Sequence, residues 1–193
     1  GSNGPASAAL VDVELKVGLT KRKHLRIDDA GITWGGEHVP FASITAFTYH
    51  AARLAVANTE FGIELWQGKK RTSVTFTGGD DLRHVYTTVS DVLFERLGRP
   101  ALESAIARID AGESVELGGW TFDRSGATQG KKSMPWSAPY RMIPSTMSQF
   151  PCTYVNAEID GKDRQIGVFG AESPHSCIVP SVFELGARMF GGR

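Results

Sequence analysis

Many of the usual markers of function are missing from this chain. Only 2 cysteines occur in 193 residues. Cys152 and Cys177 form neither a CxxC pair nor a disulfide framework, which suits a reduced, cytoplasmic setting. Charge of one sign is also lacking: 21 basic residues face 21 acidic ones. The basic excess of a dedicated nucleic-acid binder is therefore absent. No apolar run approaches the ~20 residues that span a bilayer. The opening GSNGPASAAL has neither the charged nor the apolar part of a signal peptide. Phosphate-loop and dinucleotide patterns, GxxxxGK and GxGxxG, do not occur. The 5 histidines (His24, His38, His50, His84, His175) show no metal-ligand spacing. No cofactor and no metal are expected.

What is present is an ordinary globular composition, 41% hydrophobic and 22% charged, written as a duplicate. DDAGITWGGEHVPF, Asp28–Phe41, returns 95 positions later as DRSGATQGKKSMPW, Asp123–Trp136. Without a gap, Asp28 meets Asp123, Gly31 meets Gly126, Thr33 meets Thr128, Gly35 meets Gly130 and Pro40 meets Pro135. Val39 faces Met134 and Phe41 faces Trp136. The length allows two small domains, each near the lower limit for a self-sufficient core, so the halves are expected to lean on each other.

Around the first copy, Val11–Val17 alternates strictly, as a half-buried strand does. Runs at 25–27 and 32–34 flank a turn at Asp28–Gly31, and Gly35-Gly36 makes the next. A long strand is expected from Val39 to Tyr49, with others near 54–57, 61–66 and 72–77. These are about seven strands with short turns, as in a small antiparallel barrel or sandwich. From Asp80 the period changes. Leu82, Val85, Val89, Val92, Leu93 and Leu97 form a helical stripe, with Asp80 and Asp81 at its positive end and Gly98 as its C-cap. Pro100 opens a second helix, closed near Gly112. The strand programme then repeats at 115–117, 120–122, 134–136, 153–159 and 164–168, while 143–151 reads as a loop. A final helix carries Val182, Leu185 and Met189, with Pro180 in its first turn. The expected division is a disordered lead-in or tag remnant over 1–8, one domain over 9–99, a connecting helix over 100–112 and a second domain over 113–193.

Seven strands and one amphipathic helix, written twice, resemble the pleckstrin-homology (PH) superfold. The whole chain resembles bacterial tandem proteins with PH-like domains. The echo is most specific over 25–44 and over 111–140, AGESVELGGWTFDRSGATQGKKSMPWSAPY, where a G-E-x-V-x-hydrophobic-G opening precedes D-x-x-G and hydrophobic-P-W. The resemblance implies a mainly β (α+β) fold of two PH-like barrels, each a ~7-stranded antiparallel bent sheet capped by a C-terminal α-helix. Phe41 and Trp136 would then be core residues, and Pro40 and Pro135 would start strands. Trp34, which faces Gln129 in the duplicate, would not be required in the core.

Lys21, Arg22, Lys23 and Arg26 form the one polybasic cluster. They lie roughly where lipid-binding PH domains grip phosphates, and such a site works because several cations converge on one polyanion. A solvated turn is the competing reading. Ser173-Pro174-His175-Ser176-Cys177 invites a catalytic reading, since a thiol near a helix N-terminus is activated and a nearby His can assist. No orienting acid or oxyanion hole can be named, so Cys177 is read as a small buried hydrophobe and no catalytic residue is assigned. The expected function is a non-catalytic binding or scaffolding module. Its partner is another protein or a peptide, taken by strand addition. The alternative is peripheral association with an anionic, phosphoinositide-type membrane surface through the Lys21–Arg26 cluster. Nucleic acid is not an expected partner.

Overall fold

The computed structural model describes residues 9–17, 21–53, 59–145 and 151–192. Among them the chain is mainly β, with four antiparallel sheets, and it divides into two compact units, Gly1–Leu97 and Gly98–Arg193.

In the first unit β1 (Val11–Val17), β2 (Lys21–Ile27), β3 (Gly31–Trp34) and β4 (Glu37–Pro40) pair in chain order. A second sheet holds β5 (Ala46–Arg53), β6 (Thr59–Gln67) and β7 (Lys70–Gly78). Alternation sends one face of most strands inward, while the central β6 is buried on both faces over Phe61–Leu65. Leu25, Ile27, Ile32 and Val39 are buried from the first sheet, and Phe47, Phe61, Ile63, Leu65, Val74 and Phe76 from the second. The helix α1 (Arg83–Leu93) buries Val85, Val89 and Leu93, and its Tyr86 ring lies 4.8 Å from that of Phe61.

The second unit begins with α2 (Arg99–Asp110). Then β8 (Val115–Leu117), β9 (Trp120–Asp123), β10 (Gly126–Gln129) and β11 (Lys132–Pro135) again pair in chain order. The strands β12 (Tyr140–Ser145), β13 (Cys152–Ile159) and β14 (Lys162–Gly170) form the three-stranded partner, and α3 (Val179–Phe190) follows. Phe183 of α3 anchors the core. Its ring lies 5.1 Å from Trp120, 5.2 Å from Phe122, 5.5 Å from Tyr140 and 6.2 Å from Trp136. Aromatic side chains carry the largest apolar areas, so this cluster dominates the unit's burial energy.

The duplicated sequence is thus a duplicated fold: a four-stranded sheet, a three-stranded sheet and a helix, in that order. The registers agree as well. Gly31 pairs with Pro40, and Gly126 with Pro135. A Cβ placed on Gly31 would lie 2.3 Å from the Val39 carbonyl oxygen, and one on Gly126 only 1.9 Å from that of Met134. Side chains are excluded at both positions by neighbouring backbone.

Several expectations fail for local reasons. Among the described residues neither unit is one bent seven-stranded sheet: its two sheets share no ladder and do not close into a barrel. The strand expected from Val39 to Tyr49 breaks at Pro40. Phe41–Ser43 instead forms a 3-10 turn, with the Ile44 amide donating to the Phe41 carbonyl at 3.1 Å and Ser43 Oγ to that of Pro40 at 2.7 Å. Pro40 and Pro135 therefore end strands, where a missing N–H costs least. Phe41, on that turn, is only half-buried. Trp136 is buried as expected, but in the turn after β11, with its indole N–H donating to the Asp123 carbonyl at 2.7 Å. Trp34 is core after all, 6% exposed. Its counterpart Gln129 plays a different part, donating to the Val168 carbonyl and accepting from the Val168 amide, both at 2.7 Å. Ile143, Pro144 and Ser145, expected in a loop, belong to β12, an edge strand that tolerates proline. The strand expected near 54–57 lies outside the described residues.

The helix boundary also differs. Gly98 has helical φ −70° and ψ −49° and is no C-cap. A π-helical turn, Phe94–Gly98, leads from α1 directly into α2. Pro100 accounts for it. Its ring would strike the Arg96 carbonyl in a regular α-helix and offers no N–H, so the turn widens. The helix α2 packs on β8, β9 and α3 inside the second unit. Among the described residues no helix is long and apolar enough to cross a membrane.

The paired glycines give the first prediction. Gly31→Ala and Gly126→Ala should each destabilise their own unit by ~2 kcal/mol or more. The measurement is thermal unfolding combined with hydrogen exchange resolved to each unit. An unchanged midpoint would show that these turns admit a side chain.

Candidate functional site

The four cations of the polybasic cluster lie along β2 rather than on a turn. A strand sends successive side chains to opposite faces. Lys21 and Lys23 therefore share a face with buried Leu25 and Ile27, while Arg22 and Arg26 share the other with His24. The Lys23 ammonium sits 5.3 Å from the centre of the Trp34 ring. On the other face acids of β1 intervene. Arg22 lies 3.8 Å from Glu14, and His24 Nε2 lies 2.5 Å from Asp12. Arg26 reaches Asp12 at 3.3 Å and Asp28 at 3.5 Å. This is a ladder of alternating sign, not a convergent cationic pocket. Such exposed pairs contribute little stability individually.

Two carboxylates hold the matched turns. Asp28 Oδ1 accepts the Ala30 amide at 2.9 Å and the Gly31 amide at 3.3 Å. Asp123 Oδ1 accepts the Ser125 amide at 2.7 Å, the Gly126 amide at 3.2 Å and the Ser125 hydroxyl at 2.5 Å. Hydrogen bonds to the charged form lower a carboxyl pKa. The Ala30 amide is the largest cause at Asp28, and the Ser125 hydroxyl at Asp123, and both groups titrate below the ordinary aspartate value.

The segment Ser173–Cys177 connects β14 to α3. His175 adopts a left-handed conformation, φ 60°, ahead of the 3-10 turn Ser176–Ile178. That turn points Ser176 and Ile178 inward and leaves Cys177 between them, half-exposed rather than buried. Among the described residues no three His, Cys, Asp or Glu side chains group as a metal site.

Two features escaped the sequence reading. One is a cleft of about 330 Å³ in the second unit, between the β8–β9 hairpin (Glu116–Thr121) and Pro174-His175. The Gly118 amide donates to the Pro174 carbonyl at 3.1 Å, and a Cβ on Gly118 would come within 2.6 Å of Val179. Glycine is what lets the hairpin tip approach so closely. The contact is long-range and leaves no local pattern, though the 95-residue offset, extended back from Asp123 to Thr121, could have pointed there. The other feature is the edge of β12. Among the described residues this strand pairs only with β13, and Arg141, Ile143 and Pro144 are exposed along it, Ile143 at 41%. Neither a protein-family model nor a curated protein matches the chain.

The two aspartates predict a pH dependence. A carboxyl whose folded pKa is depressed adds stability above its unfolded value and loses it as pH falls through the folded one. Thermal midpoints should therefore drop below about pH 4. Asp28→Asn combined with Asp123→Asn should flatten that drop. An equally steep acid limb in the double variant would remove these groups from the account.

Proposed function

We propose that the chain is a non-catalytic protein-binding scaffold of two PH-like modules, and that the second takes an extended peptide along β12. The observation that carries this reading is the exposed outer edge of β12. An edge strand offers unpaired backbone donors and acceptors, and proteins that leave one uncovered expose a template for another chain. Main-chain hydrogen bonds then supply affinity, and alternate side chains supply selectivity. Ile143 gives the incoming strand an apolar neighbour. Binding to anionic lipid is less well supported, because the β2 cations divide between two faces and three neighbouring acids offset them.

Selection of peptides from a random display library on the intact protein tests the reading. Enriched peptides should slow hydrogen exchange in β12, and Ile143→Asp should weaken them at least tenfold, about 1.4 kcal/mol. Peptides that leave β12 exchange unchanged would count against strand addition. In a parallel sedimentation with phosphatidylserine vesicles, no salt-sensitive binding is expected. Binding abolished by replacing Lys21, Arg22, Lys23 and Arg26 with Ala would shift the function to the membrane surface.

A further inference from the structure

We infer that the cleft of the second unit is a guanidinium site whose ligand is an arginine side chain. The two copies differ at matched positions of their opening hairpins. In the first unit Asp12 stands opposite Arg26, next to the Val11–Ile27 pair. In the second, Glu116 stands opposite Thr121, next to the Val115–Phe122 pair. Ile27 and Phe122 directly precede the matched Asp28 and Asp123. Glu116 therefore holds the place of Asp12, and Thr121 that of Arg26.

The first unit shows what this arrangement binds. Two carboxylates hold one guanidinium: Arg26 Nη1 donates to Asp12 Oδ2 at 3.3 Å, and its Nε to Asp28 Oδ2 at 3.5 Å. Asp28 meanwhile keeps Oδ1 for its turn. The second unit retains both acids. Asp123 likewise commits Oδ1 to its turn, and it lies two residues along β9 on the same face as Thr121. Glu116 is exposed and forms no ion pair among the described residues. Both side chains that meet Asp12 are gone: Thr121 stands for Arg26, and Gly119 for His24, whose Nε2 lies 2.5 Å from Asp12. Thr121 is far smaller than arginine, and the cleft of about 330 Å³ opens beside it.

The rest of the wall suits a flat cation on an aliphatic stem, with Leu117 and Pro174 offering apolar surface. Glu116 is the acid that lines the cleft, and Asp123 lies outside its lining, two residues beyond Thr121 on β9. Arginine is favoured over lysine because its diverging N–H donors can bind Glu116 and still extend along β9 towards Asp123, whereas an ammonium is a point charge. The site is open to water, so single-residue affinity should be about millimolar. The inference stands whether or not β12 accepts a strand, and it is read at different amides.

The test is titration of the ¹⁵N-labelled full chain with N-acetyl-arginine amide, followed by amide chemical shifts. Saturable shifts are expected at Glu116–Thr121 and His175. N-acetyl-lysine amide should bind at least ~threefold more weakly, and the neutral isostere N-acetyl-citrulline amide should not saturate. Glu116→Gln should weaken binding at least ~fivefold. Thr121→Arg, which restores the pair found in the first unit, should abolish binding while the remaining spectrum stays folded. A free-arginine arm separates sources: equal affinity marks the free amino acid as ligand, and weaker affinity marks a side chain within a peptide. Citrulline matching arginine, binding that survives Thr121→Arg, or no saturation by ~50 mM would overturn the assignment.

Discussion

A carboxylate folded back onto the amides that follow it sets the geometry of both units. Asp28 and Asp123 each accept the N–H groups two and three residues ahead, which turns β2 into β3 and β9 into β10 at a fixed point. Three residues after each aspartate stands a glycine with no room for a Cβ, paired across the ladder with a proline that ends the next strand. Together they fix the register where β2, β3 and β4 meet in one unit, and β9, β10 and β11 in the other, at the first residue of a four-residue strand. Register matters because a slip of one residue would turn every inward side chain outward. The burial of Ile32 and Val39 in one unit, and of Ala127 and Met134 in the other, follows from that constraint.

The copies share this frame and differ in what they hang on it. The first extends its opening hairpin over two seven-residue strands and covers the outer face with paired charges. The second cuts the hairpin to strands of three and four residues joined at Gly118-Gly119, and the tip docks beside the segment that precedes α3. Where the first unit buries Trp34, the second uses the Gln129 amide to satisfy the β14 backbone at Val168. Where the first neutralises its acids with Arg26, the second presents Thr121 and a cleft. Function is most naturally sought in these departures, because the shared elements are already occupied with folding.

The repeat, the strand-to-helix order and the glycine–proline turns were legible in the sequence because each rests on local chemistry: alternation, a 3.6-residue period, or a residue with special backbone freedom. The misreadings came where local and tertiary signals conflict. Pro40 looked like a strand start because nothing local says that the chain turns at Phe41. Gly98 looked like a cap because glycine commonly closes a helix, yet a π turn carries α1 through Gly98 into α2. Trp34 was discounted because its counterpart is polar, although Gln129 occupies that position by bonding backbone rather than by packing. The β2 cations were visible as a cluster, but their split between two faces needed the assigned strand. The cleft left no local pattern, since it depends on Gly118 meeting Pro174 across more than fifty residues of chain, and only the Arg26–Thr121 mismatch of the duplicate bordered it.

One turn, used twice, organises each unit from within. Residue-resolved hydrogen exchange in Asp28→Ala and Asp123→Ala reads this at each amide. The first variant should lose protection mainly in β3 and β4, and the second mainly in β10 and β11. Unchanged protection in both variants, or an equal loss across both units from either one, would contradict it.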